Sequence, residues 1–107
     1  MKARGADPFA AVADPTRRAI LELLRDEGPR TAGAIGAAFP SMSRAAVSKH
    51  LGILRRARLV RAQARGREMV YRLDSGPLVA MYGQWLAPFL PVLEDSLAQL
   101  KERAERK

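Results

Sequence analysis

Apolar and polar positions alternate along this chain in two periods, three-to-four and two. From Pro15 the residues Ile20, Leu21, Leu23 and Leu24 describe one helix face, and Gly28-Pro29 ends it. Glycine accepts a left-handed turn there, and proline cannot continue the hydrogen-bond ladder. Val47, Leu51 and Leu54 fall within about 60° of one another at roughly 100° per residue, which predicts a helix over Arg44–Ala57. Leu59–Ala64 and Glu68–Leu73 then alternate with period two, giving two short strands joined by a tip at Arg65-Gly66-Arg67. After the break Asp74-Ser75-Gly76-Pro77 the helical period returns in Leu78, Met81, Tyr82, Trp85, Leu86 and Phe89, continued by Leu90, Leu93, Leu97 and Leu100. Pro88 and Pro91 are expected to kink or divide this last helix.

Capping residues mark the remaining boundaries. Asp7-Pro8 and Asp14-Pro15 each pair a capping aspartate with a proline at the first helical position. The first opens a short helix over Pro8–Ala13 with Phe9 and Val12 on one side, and residues 1–6 form a frayed basic terminus. Thr31 caps a helix over Ala32–Phe39, whose alanines and glycines let a neighbouring helix approach closely. Pro40 ends it, and after the connection Ser41-Met42-Ser43 a second cap, Ser43, opens Arg44–Ala57. Two helices joined by so short a turn make a helix-turn-helix. Met69 and Tyr71 of the hairpin are expected to pack inward against it, because a two-stranded hairpin is marginal alone.

Charge sharpens this picture. The protein carries a net +8, and the segment 44–73 alone accounts for that excess, with nine basic residues against the single acid Glu68. The outward face of Arg44–Ala57 holds Ala45, Ser48, Lys49, Gly52 and Arg56, with Arg44 and Arg55 on its border and no acid anywhere in the helix. Small residues permit close approach to a DNA major groove, while Arg, Lys and Ser reach base edges and phosphates. Ser43, at the start of the helix, belongs with this set. Gly52 fits a close approach of the DNA backbone, and Gly36 a helix–helix contact. Arg65 and Arg67 at the hairpin tip are placed for phosphates or an adjacent minor groove. Arg17, in the first turn of its helix where the dipole disfavours a cation, is placed as a further phosphate contact, with a solvated arginine as the plain alternative. A single aromatic in the basic region, Tyr71, argues against a single-stranded RNA platform.

Composition removes other classes. A chain of 107 residues with 48% apolar content suits one small domain with a packed core. There is no cysteine, hence no disulfide and no thiolate metal site. One histidine, His50, at the edge of the core face, makes neither a zinc site nor a nucleophile–base pair, so no enzyme, metal or cofactor is expected. The first residues contain no signal-peptide core and no run spans a membrane, so a soluble, cytoplasmic protein is expected. The apolar stripe of the last helix exceeds what a small core can cover. Phe9, Leu78, Met81, Tyr82, Trp85, Leu86, Phe89, Leu93 and Leu97 are therefore assigned to a homodimer interface. The alternative is a helical protein-interaction module with only non-specific DNA affinity.

The run ADPTRRAILELLRDEGPRTAGAIGAAF, followed by SMSRAAVSKHLGILRRARLVRAQARGREMVYRLD, closely resembles the ArsR-type winged helix-turn-helix repressors from about Phe9 to Leu73. The tail, with QWLAP at Gln84–Pro88, looks like the metal-independent, autorepressor-like branch. The fold class is then mainly α with a small β-hairpin, one winged helix-turn-helix domain over residues 1–107. Its DNA-binding core spans 8–76, its wing 59–73, and a C-terminal helical dimerisation segment 77–107. The resemblance implies a homodimeric, sequence-specific transcriptional repressor. Each subunit places the 44–57 helix in a major groove of double-stranded DNA with the wing beside it, and occupies a promoter, often its own. Metal-sensing members carry a cysteine pair in the helix that here runs Thr31–Phe39, or Asp/His clusters on the terminal helix. This chain has neither. No motif specifies an effector.

Overall fold

The structure, a computed structural model, describes residues 7–106. The frayed terminus expected over residues 1–6 lies outside them. The order is α1 (Pro8–Ala11), α2 (Pro15–Glu27), β1 (Arg30–Thr31), α3 (Ala32–Ala37), α4 (Arg44–Arg56), β2 (Val60–Arg65), β3 (Glu68–Leu73), α5 (Gly76–Met81) and α6 (Leu90–Glu105). Between α5 and α6 lie a π-helical turn, Tyr82–Leu86, and a 3₁₀ turn, Ala87–Phe89.

Each expected cap forms. The side chains of Asp7, Asp14, Thr31 and Ser43 accept from the backbone N–H groups of Phe9, Arg17, Ala34 and Ala46, all at 3.0 Å. Each satisfies one of the donors a helix start leaves unpaired. Gly28 closes α2 at φ 78°, in the region only glycine enters freely. The core gathers Ile20, Leu21 and Leu24 of α2, Ile35 of α3, and Val47, Leu51 and Leu54 of α4, with Leu59 and Val60 at the entry to the wing. In α1 the buried residue is Ala11, not Phe9, which is exposed.

The end of α4 is the one place where a side-chain-bearing residue takes a positive φ among the described residues: Arg58, at 63°. Leu59 N–H reaches back to Leu54 O and Arg58 N–H to Arg55 O, both at 3.0 Å. This is a Schellman closure, with Leu54 and Leu59 forming its apolar contact. Holding a non-glycine residue in the left-handed region costs roughly 1–2 kcal/mol.

The sheet has a strand that sequence periodicity does not indicate. The order is β1-β3-β2, all antiparallel, with Arg30 opposite Tyr71 and Thr31 opposite Val70. A two-residue strand has no period to detect. The pairing of β2 with β3 sets Val60 opposite Leu73, Ala62 opposite Tyr71 and Ala64 opposite Met69. Paired residues share a face, and Tyr71 and Leu73 pack on the core from it, half-buried. Met69 is half-buried on the same face, and Val70, on the other, is more buried than either Met69 or Tyr71.

Around its prolines the terminal helix is divided as expected: α5 ends at Met81 and α6 begins at Leu90, with the π and 3₁₀ turns between them. Pro88 lacks the N–H that the ladder needs and crowds the preceding turn. The backbone responds by widening, so that Ala87 N–H bonds to Tyr82 O five residues back, and then tightening, so that Leu90 N–H bonds to Ala87 O. The helical path therefore passes from α5 to α6 through these turns by changing its hydrogen-bond register. Every residue from 91 to 106 is exposed. The radius of gyration, 17.5 Å, exceeds the ~13 Å of a compact chain this long, because α6 stands away from the core.

Candidate nucleic-acid interface

The core fixes which side of α4 looks outward. With Val47, Leu51 and Leu54 buried, Arg44, Ala45, Ser48, Lys49 and Arg56 are all exposed, and Gly52 is half-buried. A Cβ on Gly52 would meet only the guanidinium end of Arg56, at 3.4 Å. No packing among the described residues requires glycine there. Gly36 departs from the expected helix–helix contact: a Cβ on it would meet nothing within 4 Å. The small residues of α3 instead leave a hollow of about 530 Å³ against α4, lined among others by Gly33, Gly36, Arg44 and Ser48.

The wing stands beside α4. Its connection is shorter than the expected tip: Arg65 belongs to β2 and pairs with Glu68, leaving Gly66-Arg67 as a two-residue turn. Gly66 takes φ 62°, as the first position of a type II′ hairpin turn requires. Arg65 and Arg67 are exposed there.

At the wing's base a carboxylate joins three elements. Asp74 Oδ2 accepts from Arg61 Nε at 2.8 Å, its Oδ1 accepts from Gly76 N–H at 3.1 Å, and its own N–H donates to Leu59 O at 2.9 Å. The Arg61 hydrogen bond, and then that from Gly76, hold the Asp74 carboxyl below the usual range. The backbone N–H of Arg17 does the same for Asp14 at the start of α2. A carboxyl depressed by folding stabilises the protein above its unfolded value and loses that contribution as the pH falls through the folded value. Their contribution is therefore present above the ordinary aspartate range and is lost as the pH falls below about 4. Asn at both positions retains an acceptor but no titration, so the double variant D14N/D74N should show a shallower decline when melting temperature is followed from pH 7 to 3. Equal acid slopes in the two proteins would remove these carboxylates as the cause.

Two residues assigned from sequence to the DNA contact are engaged inside the fold. Ser43 is the cap of α4. Arg17 Nε donates to Ala11 O at 2.7 Å, its second guanidinium nitrogen to His50 Nδ1 at 3.2 Å, and its third to Ala10 O at 3.4 Å. Because arginine can only donate, His50 Nδ1 is the acceptor in this contact. Arg17 thus ties α1 and α2 to α4. Arg18 donates to Val12 O and Ala13 O. The linkage was not legible because it spans 33 residues.

The residues assigned to a dimer divide in the same way. Leu78 packs on the chain's own core, and Met81 is half-buried. Phe9, Tyr82, Trp85, Leu86, Phe89, Leu93 and Leu97 are exposed, joined by Val79, Val92 and Leu100. Trp85, 57% exposed, stands edge-on to Phe9 with ring centroids 6.1 Å apart and lies 5.2 Å from Phe89. Among the described residues no helix is long and apolar enough to cross a membrane.

A short helix, a tight turn, an exposed basic helix and a three-stranded wing define a winged helix-turn-helix domain of the DNA-binding kind. The Helix-turn-helix domain family matches residues 12–63. The transcriptional repressor SdpR of Bacillus subtilis is 40% identical over 67 residues, 63% of this chain and 72% of SdpR. The HTH-type transcriptional regulator Rv2034 of Mycobacterium tuberculosis is 46% identical over 73 residues, 68% of this chain and 66% of that protein's length. The solved structure of an ArsR-like transcriptional regulator from Rhodococcus sp. RHA1 superposes with TM-score 0.64 at 33% identity, covering 90% of this chain and 88% of that one. The chain belongs to the ArsR-type family of helix-turn-helix transcriptional regulators, which are not enzymes.

Proposed function

We propose that this protein is a cytoplasmic, homodimeric, sequence-specific repressor that acts by occupying promoter DNA and needs no metal. The observation that carries the reading is the acid-free outer face of α4, bearing Arg44, Ser48, Lys49 and Arg56 beside a wing tipped with Arg65 and Arg67. Ala45 and Gly52 between them leave room for a groove wall. The DNA-binding unit is then the 8–76 core, with 77–107 serving dimerisation through Tyr82, Trp85, Leu86, Phe89, Leu93 and Leu97. Phe9 joins this apolar surface through Trp85, while Leu78 and Met81 anchor its near end to the core. Metal independence is supported by α3, which reads Ala-Gly-Ala-Ile-Gly-Ala and offers no ligand, in a chain with no cysteine.

The test is a titration of the protein against DNA from upstream of its own gene and against a scrambled duplex, at several salt concentrations. Binding tighter to the native duplex by roughly 10³-fold or more marks a specific regulator. Equal binding to both duplexes counts against self-repression. In the same assay the double variant R65A/R67A should weaken binding to both duplexes and lower the log–log salt slope by up to about two units per protomer, twice that for the dimer. Ser48→Ala or Lys49→Ala should instead change the preference between sequences. A double variant with an unaltered slope would remove the wing tip from the interface.

A further inference from the structure

Four features meet at the junction of α4 and the wing, away from the face assigned to the major groove. A hollow of about 380 Å³ is lined by Arg55, Arg58, Val60, Arg61, Ala62 and Asp74. Three arginines and one carboxylate line it, and that carboxylate is already paired with Arg61 at 2.8 Å. The side chains of Arg55 and Arg58 make no hydrogen bond or ion pair among the described residues. Arg61 also lies directly opposite Arg72 across the β2–β3 ladder, where like charges repel. Finally, Arg58 occupies the only positive-φ position held by a residue other than glycine among the described residues. For the closure of α4 alone glycine suits that position better, so the arginine is retained against local backbone preference.

We propose that this hollow seats a phosphate of the DNA backbone, as a second contact distinct from the one at the wing tip. A phosphate is the chemistry that fits: a compact, doubly accepting anion which several arginines can hold by forked, charge-assisted hydrogen bonds. The DNA duplex is the source because Arg55 belongs to the basic helix α4 and Arg61 to strand β2 of the wing. Arg61 is four residues from Arg65 along β2, about 13 Å at ~3.3 Å per residue, so base and tip of the wing take different phosphates. The helix dipole accounts in part for cations at the end of α4, yet it asks for no left-handed arginine. The inference rests on the DNA-binding reading above and extends its footprint.

Arg58→Gly provides the test, since glycine suits the backbone there and removes one charge. The variant should melt at a higher temperature than the wild type. It should bind the upstream duplex and the scrambled duplex more weakly near 0.1 M salt, by about 5- to 10-fold for each protomer, with the salt slope lowered by about one unit per protomer and so about two for the dimer. Arg58→Lys, which keeps the charge, should retain the wild-type slope. An unchanged slope and affinity in Arg58→Gly would overturn the proposal, and a loss confined to one sequence would make Arg58 a base reader, which overturns it too. If inorganic phosphate raised the melting temperature of the wild type but not of Arg58→Gly, while DNA binding was equal, the hollow would belong to a free phosphorylated ligand instead. A wild-type protein that binds neither duplex would sink the DNA-binding reading itself. A wild type that binds normally beside an unaffected Arg58→Gly sinks only this inference.

Discussion

Replacing Leu93 and Leu97 together by aspartate should convert the protein to a monomer and lower its affinity for a two-half-site duplex by roughly 10²–10⁴-fold, the scale on which linked binding exceeds single binding. The two leucines are one turn apart on α6 and share a face, and both are exposed. A helix of 16 residues is marginal in water without tertiary packing, since the nucleation cost is recovered only by burying an apolar face. Among the described residues nothing buries this one: residues 91–106 are exposed throughout. A second copy would cover Trp85, Phe89, Leu93 and Leu97 at once, and a pair of buried carboxylates on that surface would be left unpaired at high cost. Sedimentation should show the wild type at twice the protomer mass and the variant at one, with far-UV circular dichroism reporting partial loss of α6. A wild type that sediments as a monomer with undiminished helicity would refute the dimer and leave the apolar face to a different protein.

Leu54→Ala should destabilise the folded protein by about 2–5 kcal/mol, the range for leucine truncation in a packed core. Leu54 has no exposed surface and does two jobs: it fills the space between α4 and the entry to the wing, and it forms the apolar contact of the Schellman closure with Leu59. The loss is large against the roughly 5–15 kcal/mol that holds a typical domain. Because the same residue orients α4, DNA affinity should fall with stability. Urea unfolding at one fixed protomer concentration measures the change, since a dimer's apparent stability depends on concentration. Ile53→Ala, at a half-buried neighbour, serves as the comparison and should cost less. Equal losses at the two positions would mean that α4 is held by its length rather than by the buried face.

Much of the protein was legible because its signals are local. A cap acts over three residues and a helix face over four. Asp7, Asp14, Thr31 and Ser43 therefore marked helix starts that the structure reproduces, and the periods of α2, α4 and the wing placed the core. The outward face of α4 followed directly, because once Val47, Leu51 and Leu54 turn inward the remaining positions have nowhere else to point. The charge of segment 44–73 and the resemblance carried by its motifs led from that face to the family.

What the sequence by itself determined, then, was the helices and the two hairpin strands, the buried faces of α2 and α4, and the class of regulator. The tertiary structure alone decided how distant residues use their chemistry. It gave Arg17 to the α1 carbonyls and His50 rather than to solvent, paired Arg30-Thr31 with a strand some forty residues on, and joined Arg61, Asp74 and Gly76 at the base of the wing. It set Arg58 in a left-handed conformation among other arginines, where the sequence shows one more basic residue in a basic run. It also placed the π and 3₁₀ turns around Pro88 that separate α5 from α6. The reason is common to all of these: propensity and capping are settled within one turn of chain, whereas a side chain's partner depends on which surfaces the packed core brings together.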